Sequence, residues 1–133
     1  MLRNISLFLL ATFFVVAGVN HFLSSQIYLA MMPGHLPFPS AMNLISGGAE
    51  IAGGLGVLIP RLRRYAGWGL IALLVAVFPA NVNVALNGWD GVTIPNWVLW
   101  ARLPIQLVLI AWVYFSCLSR RNEALKSSLV PPR

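Results

Sequence analysis

Apolar residues gather into four runs, at about residues 5–23, 41–59, 66–86 and 98–118. Each is close to the ~20 residues that a helix needs to cross a bilayer's hydrocarbon core. No stretch alternates apolar and polar positions with a period of two, which excludes a membrane β-barrel. The pattern predicts an all-α, polytopic membrane protein, a four-transmembrane-helix bundle. Residues 1–118 form its transmembrane domain, and residues 119–133 a polar cytoplasmic tail.

The second run, Ala-Met-Asn-Leu-Ile-Ser-Gly-Gly-Ala-Glu-Ile-Ala-Gly-Gly-Leu-Gly-Val-Leu-Ile, carries one acid, Glu50. At ~100° per residue, Asn43, Ser46, Gly47, Glu50, Gly53, Gly54 and Val57 share a face. Leu44, Ile45, Leu55 and Ile59 lie opposite. Small residues let helix backbones approach closely in lipid. The stripe therefore faces other helices, and Glu50 points into protein. In the first run, Leu10, Phe14, Ala17 and Gly18 share the face of His21. The third run carries Pro79, followed by Asn81, Asn83 and Asn87. A proline leaves one helix carbonyl without its donor, and in lipid that group needs a partner from protein or water. Plain periodicity groups Ala72, Ala76, Ala80, Asn83 and Asn87 on an inward stripe and puts Asn81 on a flank. The fourth run presents Arg102 and Gln106 one turn apart. The segment 24–40 has three prolines and a glycine, so no regular helix runs through it. Its apolar content lays it across the bundle mouth.

Composition agrees with this reading. Charged residues make up 9% and hydrophobic residues 59% of 133 residues, where a soluble domain has about a quarter charged. The formal net charge is +6. The cations sit at the ends of apolar runs and form no basic patch, which argues against a nucleic-acid partner. Arg3, the Arg61, Arg63 and Arg64 group, and Arg120, Arg121, Lys126 and Arg133 fall on one side of a four-span chain. The positive-inside rule makes that side, and both termini, cytoplasmic. The localisation expected is an integral, bacterial inner-membrane one. The single cysteine, Cys117, has no internal disulfide partner. His21 and His35 lack metal-ligand spacing, so no metal site is expected.

Placed by depth, the polar residues converge. His21 ends helix 1 and Glu50 is mid-membrane on helix 2. Asn81 and Asn83 are in the outer half of helix 3. Arg102 and Gln106 are in the outer half of helix 4. The cytoplasmic half is almost purely apolar. A charge at the bilayer centre costs about 2.5–3.5 kcal/mol. Pairing with Arg102, or protonation, lowers that cost for Glu50. Glu50, Arg102, His21, Asn81, Gln106 and Asn83 are thus the candidate ligand-binding or proton-handling residues. The same groups also serve a purely structural role if they only lock the helix register.

Several motifs carry a family resemblance. They are Gly18-Val19-Asn20-His21-Phe22, Met32-Pro33-Gly34-His35-Leu36-Pro37, Ser46-Gly47 with Ala49-Glu50, Pro60-Arg61, Phe78-Pro79-Ala80-Asn81 and Arg102-Leu103-Pro104-Ile105-Gln106. In order and spacing they resemble the DoxX/DoxX-like family of small four-helix membrane proteins. The resemblance implies an accessory or ligand-binding subunit of a quinone-linked redox system, with a quinone-like ligand and a membrane redox partner protein. More distant relatives imply an assembly or chaperone-like factor that holds other transmembrane helices. A homo-oligomer is a further expectation. No stand-alone catalytic motif is present, and two hairpins of like orientation give no inverted repeat for a transporter.

Overall fold

The computed structural model describes residues 1–32, 34, 36–89, 91, 93–119 and 128–129. The expectations for Pro33 and His35, and for most of the tail, lie outside them. The described residues form five α-helices and no strand. They are α1 (Leu2–Leu23), α2 (Ser25–Met31), α3 (Pro39–Gly56), α4 (Arg63–Asn87) and α5 (Asn96–Val113), which runs on as a π-helical turn, Tyr114–Leu118. Three of these segments are long and apolar enough to cross a membrane: Leu2–Leu23, Arg63–Asn87 and Asn96–Leu118. α3 is not among them. Its Gly, Ser and Asn residues and Glu50 dilute the hydropathy of the helix.

α2 departs from the sequence expectation. A seven-residue helix forms ahead of the first proline of the segment, because Ser25–Met31 itself contains no helix breaker. The chain then leads through Pro37 and Phe38 into α3. Phe38 has a left-handed backbone, φ 50°, and Pro39 occupies the first turn of α3. Proline is suited there, since its fixed φ is helical and the missing N–H would have no partner.

α1 makes its most extensive packing with α3, α3 also packs on α4, and α4 on α5. Glycines set the α1–α3 distance. A Cβ on Gly18 would lie 2.6 Å from the Gly47 carbonyl oxygen, and one on Gly54 would lie 3.0 Å from that of Ala11. The two backbones therefore touch along two turns of each helix. The buried face of α3 consists of Asn43, Gly47, Glu50, Gly54 and Gly56. Leu44, Ile45, Leu55 and Ile59 are exposed, as the stripe predicts.

α4 is turned differently from its predicted phase. Gly67, Leu70, Leu74, Val84 and Ala85 are buried, whereas Ala72 and Ala76 are exposed. The helix is apolar on nearly every side, so its pattern holds little phase information.

The core lies at the end where α1 begins and α5 finishes. Leu7, Leu10, Phe14, Val57, Leu70, Leu74 and Val113 form it. Cys117 packs there against Gly67, whose absent side chain leaves room for the Cys117 Cβ. Polar bonds close this end. Trp112 Nε1 donates to Ser6 Oγ at 2.8 Å, Ser6 and Ser116 share a 2.8 Å hydroxyl contact, and Arg3 Nε donates to the Ser116 carbonyl at 3.2 Å. Phe13 meets Trp112 with ring centroids 6.4 Å apart. α1 and α5 thus join chiefly at this terminal end. Towards the α2 end they part.

Candidate functional site

The cleft left between α1 and α5 leads into a cavity of about 290 Å³. That is at the lower end of the ~300–1,000 Å³ range of small-molecule sites. Phe14, Tyr28, Met31, Leu74, Ile105 and Leu109 supply apolar wall, and residues of all five helices line it. Phe13 and Ile105 stand at the lips, 44% and 55% exposed respectively. Both are exposed apolar side chains of the cavity's lining.

α1 and α3 bring His21 and Glu50 together on one wall. His21 Nε2 is 3.4 Å from Glu50 Oε2. Asn43, two turns before Glu50 on the same face, holds the other side of the imidazole. Its Nδ2 donates to the His21 backbone carbonyl at 3.1 Å. A carbonyl only accepts, so this bond fixes the amide orientation and turns Oδ1 to His21 Nδ1, at 2.8 Å. Nδ1 therefore carries a proton. Nε2 faces Glu50 Oε2 across the remaining gap. The 3.4 Å separation exceeds the ~2.7–2.9 Å of a charge-assisted hydrogen bond. Glu50 Oε2 is buried without any hydrogen-bond partner.

Tyr28 covers this pair from α2. Its ring stacks on His21 with centroids 3.8 Å apart and planes 19° apart. Asn20 Nδ2 donates to its hydroxyl oxygen at 2.7 Å. α2 is tied to α4 and the following loop by its backbone. Asn83 Nδ2 donates to the Met31 carbonyl at 3.0 Å, and Trp89 Nε1 to the Ile27 carbonyl at 2.8 Å. The Met31 carbonyl lies in the last turn of α2, where the helix supplies no donor.

The opposite wall comes from α4 and α5. Asn81 Nδ2 donates to Gln106 Oε1 at 2.5 Å, and Gln106 Nε2 donates to the Leu74 carbonyl. Leu74 precedes by one residue the carbonyl that Pro79 deprives of its donor. Gln106 thus splints α4 where proline weakens it. Asn81 Oδ1 is left buried and unpartnered. Arg102 lies over the Trp89 ring, 4.7 Å from its centroid, with Nη2 3.9 Å from Met31 Sδ. Its Nη1 is buried without a partner. The expected Glu50–Arg102 ion pair is not formed: Glu50 makes its ion contact with His21, which is nearer through the α1–α3 glycine contact.

Five of the six residues singled out from the sequence, His21, Glu50, Asn81, Arg102 and Gln106, line the cavity. Asn83 is absent from the lining and turns to α2 instead. Asn43 and Tyr28 are the functional neighbours that sequence reasoning left out. Asn43 had a signal, since it shares the Glu50 stripe. Tyr28 had none, because its helix was not expected. No group of three or more His, Cys, Asp or Glu that could hold a metal occurs among the described residues.

No curated protein and no solved structure matches the chain. The family profile that does match is not that of the DoxX-like proteins, so the resemblance is corrected. Its motifs, a polar helix end, a proline kink and a near-surface arginine, recur in small helical membrane proteins for the physical reasons given above and do not by themselves mark one family. The quinone-like ligand and redox partner rested on that resemblance and lose their support with it. The match covers residues 10–117, and the chain belongs to the family described as a domain of unknown function, DUF8561.

Proposed function

We propose that this is an integral membrane protein that binds a small lipid-soluble molecule in the bundle cavity, admitted sideways through the α1–α5 cleft. One observation carries the reading. Asn81 Oδ1 and Arg102 Nη1 are buried and unpartnered among the described residues, Glu50 Oε2 makes no hydrogen bond beyond its 3.4 Å ion contact with His21, and the three residues, on three different helices, line one cavity. An unmade hydrogen bond at a buried polar atom costs about 1–3 kcal/mol. Three such residues around one space give a small molecule polar groups to bond. The apolar lips favour access from hydrocarbon. In this reading α3 spans the bilayer as a fourth helix, with its glycine face against α1 and its Leu and Ile face in lipid. Both termini are then cytoplasmic by the distribution of Arg and Lys. Reporter fusions at Arg64 and at the C-terminus test that topology, and a fusion at Arg64 found outside the cell overturns it.

The binding reading is tested on protein purified in mild detergent, denatured and extracted. Mass spectrometry should find a small molecule that co-purifies with the wild type and is depleted from Ala80→Phe, which fills the cavity. Equal amounts from both proteins refute it. The second reading is an assembly factor for other transmembrane helices, or a homo-oligomer. What favours it is the exposed small-residue face of α4, Gly69, Ala72 and Ala76, of the type used for close helix contacts. A membrane partner captured by the wild type, lost from Ala72→Leu and kept by Ala80→Phe would support that reading over the first.

A further inference from the structure

The charges around the cavity go further than its shape. Resting on the reading above, we infer that the ligand is an organic anion, an amphiphile whose single acidic head binds Arg102 while its apolar body extends along the cleft. The titratable groups at the cavity are His21 from α1, Tyr28 from α2, Glu50 from α3 and Arg102 from α5; α4 contributes only the amide of Asn81. Glu50 has an ion contact with His21, 3.4 Å away. Arg102 has no such contact among the described residues, and its guanidinium keeps its charge in proteins. No carboxylate among the described residues pairs with it. Its neighbours are the Trp89 ring and the Met31 sulfur, which attract a cation weakly and do not neutralise it. A charged group inside a helical bundle is expected to pair. Arg102 lines the cavity, and its Nη1 is a buried donor with no acceptor among the described residues.

A second buried atom without a described partner, Asn81 Oδ1, refines the class. Asn81 Oδ1 only accepts, so a hydroxyl or amide N–H near the acidic head would satisfy it. The volume of about 290 Å³ holds a head and a short apolar segment. A longer tail leaves between Phe13 and Ile105. A carboxylate and a phosphate monoester meet Arg102 with the same chemistry, and the experiment separates them.

The test uses full-length protein in nanodiscs of zwitterionic lipid, with empty discs as the blank. Equilibrium binding is measured for radiolabelled decanoate, decyl phosphate and decan-1-ol. Decanoate or decyl phosphate should saturate one site per chain at least tenfold more tightly than the alcohol, and the tighter of the two names the head group. Arg102→Gln should remove that preference by weakening anion binding tenfold or more while leaving the alcohol within about twofold. Arg102→Lys should keep it. The double variant Arg61→Gln, Arg64→Gln, which removes surface cations alone, should also keep it. Equal affinity for alcohol and anions in the wild type, with both blocked by Ala80→Phe, would overturn the anion class and leave the pocket standing. Saturable binding of none of the three probes would remove the pocket as well.

Discussion

The α1–α3 glycine contact gives the sharpest structural prediction, because its geometry states what a single methyl group meets. At Gly18 an added Cβ would lie 2.6 Å from the Gly47 carbonyl oxygen, 2.7 Å from Ile51 Cγ1 and 3.0 Å from the Ile51 nitrogen. Two of these atoms are backbone, so no rotamer relieves the clash, and the helices must separate by most of an ångström. Overpacking of this kind costs about 1–3 kcal/mol. At about 1.4 kcal/mol per factor of ten, Gly18→Ala should weaken the folding equilibrium by roughly 5- to 150-fold. Gly48→Ala is the matched control. It lies on the same pair of helices, but its Cβ would meet nothing within 4 Å. It also removes a helix-interior glycine, a change worth roughly 0.5–1 kcal/mol in favour of the helix. The assay is reversible unfolding in mixed micelles titrated with a denaturing detergent, followed by circular dichroism. The two variants should move in opposite directions from the wild type. If Gly18→Ala proved as stable as Gly48→Ala, the close backbone contact between α1 and α3 would be wrong.

Further substitutions probe the polar network. Gln106→Leu removes the splint across the Pro79 region and strips Asn81 Nδ2 of its acceptor. It should destabilise by about 1–3 kcal/mol for each buried group left unpaired, and an unchanged unfolding midpoint would show that the splint carries no weight. Asn43→Leu frees the His21 ring, so the imidazole ¹⁵N shifts, which should report Nδ1–H alone for any neutral histidine in the wild type, should show both tautomers in the variant; mixed tautomers already in the wild type would refute the Asn43 assignment. The pair Asn83→Ala and Trp89→Phe removes both donors to the α2 carbonyls. Amide exchange across Ser25–Met31 should then quicken while α1 and α3 stay protected, and equal quickening throughout would mean that α2 is not held separately.

How much of this was legible in the sequence depended on how unevenly each helix carries its polar residues. α3 was readable because its Gly, Asn and Glu sit on one face and its Leu and Ile on the other. α1 was readable through Leu10, Phe14, Gly18 and His21, all of which are buried. α4 was not. Its inner and outer faces are both apolar, and the position of Ala72 and Ala76 was settled by what packs: Leu70 fills the space over Gly53, and that contact orients the helix. The reversed roles of Asn81 and Asn83 follow from the same rotation. α2 was hidden because the prolines that break the segment lie beyond its last turn. The partner of Glu50 was hidden for a different reason. Depth along the helices brings Arg102 and Glu50 to similar levels, but lateral distance decides which groups touch, and the glycine-lined α1–α3 contact puts His21 closer.

The site divides into a closed part and an open part, and the division says what a ligand must do. His21, Asn43 and Tyr28 hold one another, and Asn81, Gln106 and the Leu74 carbonyl form a second closed set. These bonds fix the walls whether or not anything is bound. Glu50 Oε2, Asn81 Oδ1 and Arg102 Nη1 are the atoms that the closed sets leave over. On the proposed reading, a bound molecule that supplies partners to them gains about 1–3 kcal/mol for each. A ligand that binds only the folded state then stabilises it by about 2.7 kcal/mol at a hundred times its Kd. The co-purified molecule, added back to stripped protein, should raise the unfolding midpoint accordingly. The gain should fall in Arg102→Gln and persist in Gly48→Ala. A ligand that binds without any such rise would show that the three atoms are satisfied by something other than the cavity's occupant.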